Sequence, residues 1–168
     1  MFEQLLSQSP FWSQVGPSAD VVMTTRVRLA RNLPSLPFGN KMDEADISTL
    51  ESIVHQAVVT SKYFEHAQFV SLKDCTSDDR RFLRERDIIT HEMELSNNSS
   101  VVFDPGHQYS ILINEEDHIR IQVIKPGLQM LSAFKLADEI DDELNKYISY
   151  AFTDDFGFLT TCPSNVGT

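Results

Sequence analysis

"SVVFDPGHQYSILINEEDHIRIQVI", residues 100–124, decides the fold. "SVVFD" (100–104) and "QYSILI" (108–113) are short apolar runs joined by "PGH", and "HIRIQVI" (118–124) follows an acidic turn. Runs of this length broken by turn residues predict an antiparallel meander. If the chain is extended through the third run, Glu116, His118, Arg120 and Gln122 share one face, and Ile119, Ile121 and Val123 share the other. In the bland reading the acids are solvated, and pairing with His118 and Arg120 adds only about 0–1 kcal/mol. That reading leaves unexplained an arginine pointing the same way as Glu116. A carboxylate beside an arginine would orient a cationic substrate next to an anionic donor.

Upstream, "DVVMTTRVRLARN" predicts a strand opening at Asp20, with Thr24, Arg26 and Arg28 on one face and Val27 and Leu29 on the other. The loop "NLPSLPFGNK" separates it from a helix capped by Asp43, in which Ile47, Leu50, Val54, Ala57 and Val58 recur at helical spacing. "AQFVSL" (67–72) reads as a strand, and "SDDRRFLRERDII" (77–89) as a charged helix with a Ser N-cap. Downstream, the longest helix is expected over 128–151, burying Leu131, Phe134, Ala137, Ile140, Leu144, Tyr147 and Ala151. "FGFLTTCPSNVGT" starts as a strand and turns at Pro163, leaving Cys162 at a strand end. Helices set between hairpin-connected strands define an α+β domain, an antiparallel β-sheet flanked by helices.

The bulk properties agree. A chain of 168 residues with 41% apolar content is the size of one domain and can bury roughly 70% of its unfolded surface. Its 14 Lys and Arg against 25 Asp and Glu give a net charge of -11, which disfavours nucleic acid and anionic membranes as partners. An anion site must then be a local arginine cluster. Cys75 and Cys162 lie far apart without CxxC spacing, so no disulfide framework or zinc site is implied and a reducing cytoplasm fits best. Neither a signal peptide nor a membrane span is legible.

Two further clusters carry possible chemistry. Thr24, Thr25, Arg26, Arg28 and Arg31 gather guanidinium groups and hydroxyls. Taken alone, two same-face arginines are more often a solvated, ion-paired edge. Read functionally, they suit bidentate binding of phosphate oxygens without a Gly-rich loop. In "TCPSN", Cys162 stands two residues before Ser164. An isolated cysteine is usually an inert core thiol, yet a nearby hydroxyl and cations favour a thiolate that would attract a guanidinium. His55, His66, His91, His107 and Cys75 read as structural.

"TTRVRLARNL", "INEEDHIRI" and "TTCPSNVGT", in this order along nearly the whole chain, resemble the guanidino phosphotransferases, the family of creatine and arginine kinases. The closer resemblance is to its bacterial protein-arginine kinase branch, since only 19 residues precede the first strand and members acting on small guanidino compounds carry an extra N-terminal domain. The resemblance implies the glutamine-synthetase-like catalytic fold of that family, with 1–19 as a lead and 20–168 as a portion of the kinase core whose C-terminal part is missing. It implies that Thr24, Thr25, Arg26, Val27 and Arg28 line the ATP phosphates, with Arg120 a further ligand. Glu116 would hold and polarise the acceptor guanidinium, and Cys162, helped by Ser164, would face the same group. Magnesium would be held mainly through the phosphates, with no dedicated protein ligand. Implied partners are substrate proteins with exposed arginine, a zinc-binding activator, a stress-response repressor, a Clp chaperone-protease and a second copy of the chain, in a cytoplasmic stress response that marks proteins for degradation. A truncated nucleotide-binding or regulatory fragment and a kinase of small guanidino substrates are the alternatives. "RDIIT" departs from the family's "KHLIS"-like segment by placing Asp87 where a histidine stands near the nucleotide.

Overall fold

The computed structural model describes residues 9–166. The first eight residues of the expected lead, and Gly167 and Thr168 of the cysteine segment, lie outside the described residues. Five strands form one antiparallel sheet: β1 (Thr24–Arg31), β2 (Gln68–Ser71), β3 (Ser100–Phe103), β4 (Tyr109–Ile113) and β5 (Ile119–Pro126), in spatial order β1-β5-β4-β3-β2. The meander β3-β4-β5 is as expected, and β1 closes against β5 with Arg26 opposite Ile124 and Arg28 opposite Gln122.

The period-two alternation assigns the two sheet faces. Leu29, Ile111, Ile113, Ile119, Ile121 and Val123 meet the apolar stripes of α1 (Glu44–Thr60) and α4 (Met130–Asn145). On the opposite face, Val70, Val101, Phe103 and Leu112 pack on Leu83 of α2 (Ser77–Glu85) and Met93 of α3 (His91–Leu95). This second cluster covers the β2-β3-β4 half of its face. The β1-β5 half holds Arg26, Arg28 and Arg120, and the candidate site lies there.

Several boundaries differ from expectation. β1 begins at Thr24 rather than Asp20, because the amides of Val21 and Val22 fold back onto the Ser18 carbonyl. The helix expected over 77–89 is capped by Thr76, not Ser77, and stops at Glu85. Asp87 then takes a left-handed φ of 57°, and Thr90 caps the short helix α3, which the charged pattern had concealed. α4 is shorter than 128–151 and buries Ala133, Ala137, Ile140, Asp141 and Leu144, leaving Leu131, Phe134 and Tyr147 exposed. Near the end of the described residues a small hairpin forms, β6 (Phe152–Thr153) with β7 (Gly157–Phe158), and Cys162 follows an irregular segment rather than a strand end.

Two buried histidines make the fold sensitive to acid. His118 is fully buried: Nδ1 accepts the Leu33 amide at 3.0 Å, so the opposite nitrogen donates to the Pro37 carbonyl at 2.9 Å. Burial lowers its pKa below the ordinary 6.5, against the opposing pull of Pro37 and Asp117. His107 is lowered by burial and by Arg86, and neither ring nitrogen has a hydrogen-bond partner among the described residues. The unfolded chain binds these protons more tightly, so the stability both neutral rings confer is present above about pH 6.5 and is lost as pH falls below it. Each ring contributes a slope of up to about 1.4 kcal/mol per pH unit. Denaturant midpoints are expected to hold from pH 8 to about 6.5 and then decline; a midpoint that rises on acidification contradicts this.

Candidate functional site

The acidic turn between β4 and β5 folds into a compact arrangement. Asn114 takes a φ of 56°, and its amide bonds the His118 carbonyl at 2.9 Å. The turn presents its three acids in different directions. Glu115 and Asp117 are not the solvated acids of the bland reading, since the Glu115 side chain is only 6% exposed and Asp117 1%. Glu116 is the open one, its side chain 44% exposed.

Arg120 is gripped by two of these acids, at 2.6 Å to Glu115 and 2.7 Å to Glu116 Oε2. The same Glu116 oxygen accepts Asn165 Nδ2 at 3.0 Å. Its Oε1 has no partner among the described residues. His118 does not join Arg120 and Glu116 on the charged face as expected, because the 33–37 loop folds over its ring and takes both nitrogens.

Asp117 is the buried anchor of the site. Its Oδ1 accepts Asn32 Nδ2 and the Thr161 amide, each at 2.7 Å, and its Oδ2 accepts Asn165 Nδ2 at 3.1 Å. Asn32 in turn accepts the His118 amide at 2.8 Å. A buried carboxylate persists only when such donors replace its water. These bonds pin the cysteine segment to the acidic turn on both sides of Cys162. The half-buried thiol lies 3.0 Å from the Ser164 hydroxyl. Asp117, Asn32 and Asn165 were absent from the sequence-based set, and the spacing offers no cue to an Asn that acts across the fold.

On β1 the expected phosphate residues divide by parity. Arg28 is exposed and has no ion-pair partner among the described residues. Arg26 pairs with Asp87 at 2.7 Å. Thr24 is half-buried, whereas Val27 packs toward the core. Thr25 is buried, donating to the Gly127 carbonyl at 2.6 Å and accepting the Gln129 amide at 2.9 Å. Arg31 belongs to no phosphate cluster; it turns into the core against Asp141.

Arg28, Glu116 and Arg120 line two adjoining cavities. One, of about 430 Å³, runs toward Thr90, Glu92 and Ser96; the other, of about 410 Å³, runs toward Ala30 and Asn165. Residues 49–168 match the model of the ATP:guanido phosphotransferase C-terminal catalytic domain. The chain belongs to the ATP:guanido phosphotransferase family.

The arginine-bearing β1 precedes that matched stretch, but alignments to curated relatives extend over nearly the whole chain. It is 37% identical over 163 residues to a protein-arginine kinase of Geobacillus sp. (strain WCH70), covering 95% of this chain and 45% of the relative. A protein-arginine kinase of Symbiobacterium thermophilum is 36% identical, with 96% and 47% covered. The chain therefore spans about half the length of the curated relatives it matches. The fold is that of taurocyamine kinase from Schistosoma mansoni with bound transition-state-analogue components, at a TM-score of 0.83, 24% identity and coverage of 100% of this chain and 25% of that one. Lombricine kinase gives 0.80 at 17% identity, covering 96% and 50%. Among the described residues no helix is long and apolar enough to cross a membrane.

Proposed function

We propose that the protein transfers the γ-phosphoryl group of MgATP to a guanidinium nitrogen of arginine residues in other proteins. The observation that carries this reading is a half-exposed carboxylate, Glu116, with one oxygen unengaged, held beside Arg120 and Arg28 where two cavities meet. The names of the relatives support a protein-borne arginine as acceptor. Arg28, with Arg26 and Arg120, supplies fixed positive charge for the phosphate oxygens. Magnesium, when bound with the nucleotide, neutralises further charge on the transferring group.

A guanidinium nitrogen is a poor nucleophile because its lone pair is delocalised over a cation. Glu116 Oε1 would bind that cation, localise density on the attacking nitrogen and accept the proton released as the N–P bond forms and the bond to ADP breaks. Cys162, its sulfur beside Ser164, would face the guanidinium from the pinned cysteine segment. Through such marks the protein would act with a zinc-binding activator, a stress-response repressor and a Clp chaperone-protease in the cytoplasm, as a homodimer, directing substrates to degradation.

The test is incubation with MgATP and an arginine-rich substrate protein, followed by a search for acid-labile phosphoarginine on that protein. Label on free arginine alone would redirect the reading to small guanidino substrates. Since the chain covers 45% of its relatives' length, a second reading is nucleotide binding without transfer. Heat on titration with MgATP, without phosphoarginine, would favour it.

A further inference from the structure

The phosphate-facing half of the sheet is not electropositive. Three guanidinium groups, Arg26, Arg28 and Arg120, meet four carboxylates, Asp87, Glu92, Glu115 and Glu116, of which Glu92 stands on α3 across the cavity from Arg120. The chain around them carries a net charge of -11. Glu115 and Glu116 belong to the acidic turn and its work. Asp87 has no such excuse: it comes from the turn after α2, and it claims Arg26 at 2.7 Å with both side chains about 40% exposed.

The backbone fixes this carboxylate in place. Asp87 sits at φ 57°, its amide donates to the Arg84 carbonyl at 3.0 Å, and its own carbonyl accepts Gln122 Nε2 at 2.7 Å. Gln122 is opposite Arg28 on β5, so the turn is tied to the same strip of sheet that carries the arginines. Any phosphate reaching Arg26 must displace the carboxylate or bind beside it.

We infer that Asp87 sets the charge selectivity of the nucleotide site, weakening highly charged phosphate ligands and so favouring a nucleotide whose charge is already reduced by a divalent cation. The inference rests on the phosphate reading of Arg26 and Arg28 given above. A fixed negative charge paired with Arg26 opposes the binding of a phosphate to that arginine in proportion to the ligand's own charge, and salt screens it. It therefore discriminates between free ATP and MgATP, where a merely structural residue would not.

The experiment is titration of the whole chain with ATP, with and without Mg²⁺, at low and high salt, for the native protein and Asp87→Asn, Asp87→Glu and Arg28→Gln. Asparagine tolerates the left-handed backbone, so folding is preserved. Asp87→Asn is expected to tighten free ATP about tenfold and MgATP about threefold at low salt, the gain shrinking as salt rises. Asp87→Glu keeps the charge, although its longer side chain is strained at this φ, and is expected to show no gain for either ligand. Equal gains for both ligands, no gain, or weaker binding by Asp87→Asn overturns the inference, the last making Asp87 a direct ligand. Arg28→Gln tests the underlying reading separately: binding equal to native would sink the phosphate assignment whatever Asp87→Asn does.

Discussion

Asp141→Ala is expected to destabilise the protein by about 3–5 kcal/mol, the cost of stripping one partner from a buried ion pair. Arg31 is only 4% exposed and holds Asp141 with Nε 3.1 Å from each carboxylate oxygen and an NH2 group at 2.6 Å. Its guanidinium also donates to the Ala30 carbonyl at 2.8 Å, and the Phe158 ring centroid lies 3.7 Å from its Cζ. Without the carboxylate, a cation that cannot deprotonate would remain in this enclosure between β1, α4 and the β6-β7 hairpin. Burial raises the Asp141 pKa even though Arg31 pulls it down, so the pair itself carries a substantial desolvation cost. Replacing both partners, Arg31→Met with Asp141→Leu, should therefore cost far less than the single change. Equilibrium urea unfolding of the three variants measures this. A loss below about 1 kcal/mol for Asp141→Ala would mean that water reaches the guanidinium and that the pair behaves as a surface one.

The same arginine shows how far the sequence could be read. Strand alternation placed Arg26 and Arg28 on one face correctly, and it also puts Arg31 with Val27 and Leu29, on the core side. Grouping it with the phosphate arginines overlooked that parity. The meander was legible because its strands are short, β-branched and separated by turn residues. α4 kept its period and, at Ala137, Ile140 and Leu144, the expected buried face; at its first turn the small Ala133 lies against the sheet while Leu131 and Phe134 face out. Size at the contact outweighed hydrophobicity there. The end of α2 was hidden because a non-glycine residue, Asp87, makes the reversal. The contacts of Glu116 with Arg120 and of Cys162 with Ser164 were legible because each pair is close in sequence. Asp117 and Asn32 escaped because their partners lie 44 to 86 positions away in sequence, and only the closed fold distinguishes a buried, donor-saturated carboxylate from a solvated one.

Glu116→Gln should separate binding from chemistry. The substitution is isosteric, and the amide oxygen can still accept from Arg120 and Asn165, which now converge on Glu116 Oε2 at 2.7 and 3.0 Å. The turn should therefore keep its shape, held by the Glu115 contact to Arg120 and by the buried Asp117. What disappears is the charge at Oε1 and the capacity to accept a proton. Loss of a positioned general base lowers the rate by roughly 10²–10⁴-fold. Removing one negative charge beside Arg28 and Arg120 does not weaken phosphate binding, so MgATP affinity should be retained or slightly improved. Phosphoarginine formation and MgATP titration, run on the same preparation, give both quantities. Glu115→Gln is the informative companion, because Glu115 is packed against Arg120 with its side chain only 6% exposed, against 44% for Glu116. It should disturb the placement of Arg120 and weaken nucleotide binding, with the base still present. Transfer that survives Glu116→Gln but fails in Glu115→Gln would reverse the two roles and move the acceptor site to the other side of Arg120.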